Sequence, residues 1–226
     1  MNIVVCSACR NSEMSGHLPL YFAQVQALQR AHEGAVRLLA VEGDSFDNTA
    51  TWLQKYADAS RIELELVTRS HGGPVYGSTE HPSRMAALSI VGNGVFEHVR
   101  PGDDVLVYVE SDLIWDAETI LRLASRLGPG VDVVAPLVFA GPHFYDVWGY
   151  RKDGVRFSPF SPYHSDLLTD GLTAVDSVGS CLVMRAEVAR QCRIINGACL
   201  VGFCADVRQK GFQVFVDATA RIEHPA

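Results

Sequence analysis

Residues 103–127 read DDVLVYVESDLIWDAETILRLASRL, and the reading of this stretch decides the fold. Val105 to Val109 is an almost unbroken apolar run, the pattern of a strand buried on both faces. Two acids, Glu110 and Asp112, follow at its C-terminal end. Asp116 is then placed to cap a helix whose apolar face is Ile120, Leu121, Ala124 and Leu127.

The same alternation extends upstream. NIVVCSA (2–8), VRLLAV (36–41) and IELELVT (62–68) read as strands. Helical spacing follows each of them: Phe22, Val25 and Leu28 behind Pro19, then Trp52, Leu53 and Tyr56, then Met85, Leu88 and Val91 from about Ser83. The segment 69–82, RSHGGPVYGSTEHP, is a loop, and GNG at 92–94 is a weak point in the third helix. Repeated β-α units predict an α/β fold: a mainly parallel central sheet flanked by helices, a Rossmann-like sandwich. Such sheets bind ligands at the carboxyl ends of their strands, where Glu110 and Asp112 fall.

The second half differs. VDVVAPLVF (131–139) and SVGSCLVM (177–184) are strand-like, AEVARQC is helical, and FQVFVDATARIEHPA closes the sequence with strand residues. Residues 140–175 between them are dense in Gly, Pro and aromatics, with little periodicity. Long irregular segments in compact domains commonly form binding walls. No linker or repeat divides the chain, so residues 1–226 are expected to form one domain.

Composition sets the outer limits. The 226 residues are 48% hydrophobic and 20% charged, with a formal net charge of −7. That suits a full-sized core and disfavours a nucleic-acid partner, which ordinarily needs a basic face. The start, MNIVVCSACRNSEM, reads as a first strand rather than a signal peptide, and no apolar span approaches the ~20 residues of a transmembrane helix. A cytoplasmic protein is expected. Cys6 and Cys9 form a CxxC that raises a zinc reading, set against buried free thiols because no second ligand pair stands at matching spacing.

Strand alternation would point Glu110 and Asp112 the same way. Two close carboxylates repel unless a proton or cation intervenes. Mg²⁺ or Mn²⁺, completed by substrate phosphates, resolves that conflict; solvated acids at a strand end are the alternative.

The arrangement resembles the acidic "DxD" signature of GT-A glycosyltransferases, with Glu in the first position. VEGDSFDNT (41–49) is similar to the segment after the second strand in family 2 enzymes, and PSRMAAL (82–88) stands where those enzymes start a helix. GFCADVRQKGFQVFVDATARIEH (202–224) resembles their ending, with Ala205 replacing the first acid of its pair. DSVGSCLVMRAEV (176–188), with the acid strand, also resembles the yeast mannan mannosyltransferases.

The resemblance implies a GT-A fold and metal-dependent transfer of a sugar from a nucleotide-diphosphate donor to an acceptor hydroxyl. Residues 1–127 would form the nucleotide-sugar half and 128–226 the acceptor side. Glu42 and Asp44 would face the base or ribose. Arg84 would lie near the nucleotide, unless it is a surface arginine at a helix start. Asp112 would be the principal metal ligand, with Glu110 contacting ribose or metal. His224 would complete the shell, unless it frays with the terminus; an imidazole suits Mn²⁺ better than Mg²⁺. Asp206 would be the general base of an inverting enzyme, or a salt-bridged helix residue; a retaining enzyme needs no such base. Trp148, Tyr145, Tyr150, His143 and Tyr163 would wall the acceptor site or pack beneath it, and Asp176 would contact sugar or acceptor, or cap a turn. The acceptor is open: glycan, lipid, protein or modified nucleobase.

Two competing functions remain. One is a non-catalytic nucleotide-sugar-binding domain of the same fold. The other is a sugar-phosphate nucleotidyltransferase, ranked lower because CSACRNSEMSG contains no Gly-rich phosphate loop. A Rossmann dinucleotide enzyme needs GxGxxG after its first strand, and this sequence has none there.

Overall fold

The computed structural model describes residues 1–77 and 80–225; Ser78 and Thr79 of the loop 69–82 lie outside them. The first half alternates as its periodicity requires: β1 (Ile3–Cys9), α1 (Leu18–Ala31), β2 (Val36–Glu42), α2 (Thr49–Ser60), β3 (Glu63–Thr68), α3 (Pro82–Glu97), β4 (Val105–Val109) and α4 (Ala117–Arg126). The second half follows with β5 (Val133–Ala140), β6 (His143–Phe144), β7 (Arg151–Lys152), β8 (Val155–Arg156), β9 (Leu172–Ala174), β10 (Cys181–Arg185), α5 (Ala186–Gln191), α6 (Cys199–Gln209) and β11 (Val214–Glu223).

The main sheet has the order β3-β2-β1-β4-β10-β5-β11-β9, with β6 beside β5. β3 to β4 run parallel, as do β5 and β11. β10 is inserted between β4 and β5 and runs against both. The segment 140–175 is less irregular than its sequence suggests. It contains β6, β9 and the hairpin β7–β8, whose Asp153-Gly154 turn takes the positive φ angles (50° and 77°) of a type I′ connection.

Alternation along β1 shows how the core divides. Val4 and Cys6 join one apolar layer, against α3, α5 and α6; Ile3, Val5 and Cys9 join the other, against α1, α2 and α4. All five residues of β4 are buried, as a central strand demands. In the first layer Phe96 and Phe203 stack face to face, centroids 4.1 Å apart, tying α3 to α6. Each such buried ring contributes about 1.5–3 kcal/mol.

The GNG expected to weaken α3 lies inside it. A Cβ on Gly94 would stand 3.0 Å from Val41 Cγ1, so the small residues let the helix approach β2 closely. α4 starts on Asp116, whose carboxylate accepts the Thr119 amide at 2.7 Å, and turns Ile120, Leu123 and Ala124 inward.

The zinc reading of the CxxC fails on geometry: Cys6 and Cys9 project from opposite faces of the sheet and cannot share an ion. All six thiols are free. Among the described residues, no helix is long and apolar enough to cross a membrane.

Candidate functional site

The carboxyl edge of β4 opens into two cavities. One, of about 300 Å³, lies over the ends of β1 and β2 and is lined by Arg10, Asn11, Gly43, His71, Tyr76 and Arg84. The other, about 340 Å³, lies toward β10 and is lined by Arg84, Glu110, Tyr145, Asp146, Trp148 and Ser180, among others. Arg84, from the first turn of α3, borders both.

Glu110 and Asp112 do not continue the strand. β4 ends at Val109, and the Leu113 amide donates to Glu110 O at 3.2 Å, closing a turn. The expectation that alternation aligns the two acids therefore fails; the turn sends them to different neighbours. Glu110 lines the second cavity, where burial first, and then the charges of Asp112 and Asp146, push its carboxyl up to about 8.

Asp112 meets the end of β11: its Oδ2 is 3.5 Å from His224 Nε2. Burial works against its charge, but the hydrogen bond and charge of His224 hold its carboxyl below the ordinary aspartate range. Asp112 Oδ1 is buried without a hydrogen-bond partner.

His224 is held on several sides rather than frayed. Its backbone amide donates to Phe139 O at 2.7 Å, and Tyr145 stacks on its ring at 3.9 Å. Nδ1 lies 2.7 Å from Pro225 O and donates there, which leaves Nε2 toward Asp112; loss of the Nε2 proton would supply the lone pair that a metal needs. Among the described residues no three His, Cys, Asp or Glu side chains converge at ligand distance, so Glu110 is not part of a preformed triad. Asp112 and His224 alone fit a divalent ion completed by phosphate oxygens, as the orphaned, buried Oδ1 and an oriented imidazole require.

The other predicted residues divide. Glu42 is buried at the end of β2 and accepts the Ser45 amide at 2.5 Å, which shapes the loop beneath the first cavity. Asp44, at φ 56°, accepts the amides of His71 and Gly72, both at 2.8 Å. Those bonds hold its carboxyl below its ordinary value. Arg10 grips the same loop through Gly73 O and Pro74 O, both at 2.9 Å. Asp44 thus pins a cavity wall instead of facing a ligand.

Three assignments are corrected. Asp206 sits two turns along α6 from Cys199, which borders the second cavity, a distance of about 10 Å. Its Oδ2 is taken by the Arg193 amide and Lys210 Nζ, both at 2.7 Å, so it is a buried anchor and not a base at the cleft. Tyr150 is fully buried against Phe144, its hydroxyl donating to Pro136 O. Asp176 pairs with Arg208 at 2.9 Å and accepts the Gly154 amide at 2.7 Å, clamping the β7–β8 turn. Of the acceptor-side aromatics, Trp148 and Tyr145 line the cleft; Tyr163 packs on Phe139, and His143 meets Phe160.

One residue at the cleft was not anticipated. Asp146 accepts Ser180 Oγ at 2.8 Å and the Gly149 amide at 3.0 Å. Burial nevertheless pushes its carboxyl up. A Cβ at Gly179 would lie 2.1 Å from Asp146 Oδ2, so the glycine makes room for the acid. Ser180 carries a φ of 54°, strain of the kind stored at functional sites. The glycines of DVWG (146–149) and SVGS (177–180) were the available signal.

No protein-family model and no curated protein matches the sequence. Solved structures match over nearly its full length. A mannosyltransferase from Pyrobaculum calidifontis, in complex with GDP-Man and Mn²⁺, has a TM-score of 0.58 at 14% identity, over 98% of this chain and 56% of that one. S. aureus TarS 1–349 in complex with UDP gives 0.57 at 12% identity, over 100% and 61%. Glucosyl-3-phosphoglycerate synthase from Mycobacterium tuberculosis, with Mg²⁺ and UDP, gives 0.53 at 14%, over 100% and 70%. The fold is GT-A. The chain spans 56% to 70% of these GT-A proteins. In the GT-A frame, the edge carrying Asp112, His224 and the two cavities is the carboxyl edge of the parallel strands.

Proposed function

We propose that the chain is a metal-dependent glycosyltransferase that moves a sugar from a nucleoside-diphosphate donor to an acceptor hydroxyl. The observation that carries this reading is the pairing of Asp112, with its orphaned Oδ1, and His224 Nε2 beside the second cavity, whose lining residue Tyr145 stacks on the imidazole. The GT-A neighbours in complex with GDP-Man and Mn²⁺ or with UDP and Mg²⁺ support it.

The first cavity takes the nucleoside, beneath the wall pinned by Asp44 and Arg10. The second takes the sugar and the acceptor. Asp112 and His224 would hold Mn²⁺ or Mg²⁺, which would supply positive charge to offset that of the leaving diphosphate. Arg84, bordering both cavities, adds a fixed cation near the same phosphates. Asp146 and Glu110, at the floor of the second cavity, hydrogen-bond sugar or acceptor hydroxyls. Residues 1–127 are assigned to the donor half and 128–226 to the acceptor half of one domain.

The test is thermal stabilisation by UDP, GDP and dTDP sugars with and without Mn²⁺, since a ligand bound only to the folded state raises its stability by mass action. Stabilisation that needs both nucleotide and metal, and vanishes in Asp112→Ala, is expected. Metal-independent or absent nucleotide binding overturns the reading. Release of nucleotide on incubation with an acceptor separates an enzyme from a binding domain.

A further inference from the structure

The hairpin β7–β8 places Arg151 directly opposite Arg156. Like charges facing each other across a ladder destabilise it unless something lies between them. Arg156 is occupied: Nη1 and Nη2 reach the two oxygens of Glu80, each at 3.0 Å, in the two-pronged geometry by which a guanidinium grips a carboxylate or phosphate. Arg151 is not so served. Its guanidinium lies 5.1 Å from the ring centroid of Trp148, and Nη1 is buried without a hydrogen-bond partner.

The carboxylates near Arg151 are committed elsewhere, Asp146 to Ser180 and Gly149, Asp176 to Arg208 and Gly154. Trp148 and Glu80 both line the second cavity, and each contacts one arginine of the pair: Trp148 meets Arg151, Glu80 meets Arg156. Burial, followed by the charge of Arg156, lowers the basicity of Arg151, the cost of holding an unneutralised cation there.

We propose that Arg151 and Arg156 form an anion site at the rim of the second cavity, and that the acceptor carries a phosphate or carboxylate bound there. The incoming group satisfies Arg151 Nη1 and displaces Glu80, a stand-in carboxylate, from Arg156. This rests on reading the second cavity as the acceptor side, and it narrows the open acceptor to an acidic molecule.

The probes are glycerol 3-phosphate, glycerate and glycerol, titrated into the full chain by calorimetry without nucleotide. Binding of one or both anions and none of glycerol is expected, and the tighter anion tells phosphate from carboxylate. Arg151→Gln with Arg156→Gln weakens that binding about tenfold or more. Glu80→Gln, an exposed change that leaves the arginines intact, strengthens it about threefold by removing the internal competitor. The proposal is overturned if no anion binds more tightly than about 10 mM, if glycerol binds equally, if the double variant binds unchanged, or if Glu80→Gln gains nothing. Binding of UDP or GDP with Mn²⁺ is measured separately, so failure of the donor reading and failure of the anion site are told apart.

Discussion

His224 Nε2 faces Asp112 Oδ2 at 3.5 Å, joining the end of the last strand to the turn after β4. The pair is usable because Tyr145 stacks on the imidazole and fixes its plane. His224→Phe keeps a flat ring for Tyr145 to cover and removes Nε2. Mn²⁺ affinity in the presence of UDP or GDP is expected to fall at least about tenfold by calorimetric titration. An unchanged affinity would remove His224 from the metal shell.

Gly179 and Asp146 form a second close relationship. A Cβ at 2.1 Å from Asp146 Oδ2 forces the carboxylate out of its bonds to Ser180 and Gly149. Gly179→Ala is expected to lower transfer by at least about tenfold, the order of a displaced positioning group, while metal-dependent nucleotide binding persists. Gly102→Ala, with nothing within 4 Å of its added carbon, is the control and leaves both unchanged. Equal activity of the two variants would show that Asp146 tolerates displacement.

At the opposite edge of the sheet, Arg37 is bound two-pronged by Asp103, Nε to Oδ1 at 2.9 Å and Nη2 to Oδ2 at 2.6 Å, with both side chains buried. Asp103→Ala strands the guanidinium, although Glu65 remains 3.2 Å from Nη1. A loss of about 3–5 kcal/mol is expected from urea denaturation. A loss under about 1 kcal/mol would place this pair among exposed ion pairs in energetic terms.

Asp44 supplies a pH dependence with a defined sign. The amides of His71 and Gly72 favour its charged form and lower its carboxyl from the ordinary value. Its contribution is therefore complete above the unfolded aspartate value of about 3.9 and is lost as pH falls through the lower folded value. The amide resonances of His71 and Gly72 should shift together in that acid window and stay constant from there to neutrality. Asp44→Asn should remove the transition.

The sequence disclosed what periodicity governs. Apolar runs and helical spacing placed the first four strands and helices, and the acid run marked the edge of the sheet that holds the cavities. It did not disclose what contact order governs. β10 enters antiparallel between β4 and β5, and no local pattern encodes that direction. Glu110 and Asp112 were read as an extended pair, whereas a single turn bond from Leu113 separates them. Asp206, Tyr150 and Asp176 have the side chains of a site, but their partners, Arg193, Pro136 and Arg208, become neighbours only in three dimensions. Asp146 was missed for the same reason: Gly179 and Ser180, which accommodate it, lie just before β10, more than thirty residues along the chain.

The antiparallel seam between β4 and β10 has one more consequence. Cys181 is in register with Val109, and the Glu110 amide donates to Ser180 O at 3.0 Å. Main-chain bonds thus gauge the spacing between the acid turn and Ser180, and a slip of one residue would turn every side chain of β10 to the wrong face. Exposed residues of the excursion between Ala140 and Ser177, such as Val155, Phe160 and Leu168, can consequently change while the spacing across the seam holds. A scaffold so divided can vary its outer face there without moving the acid turn.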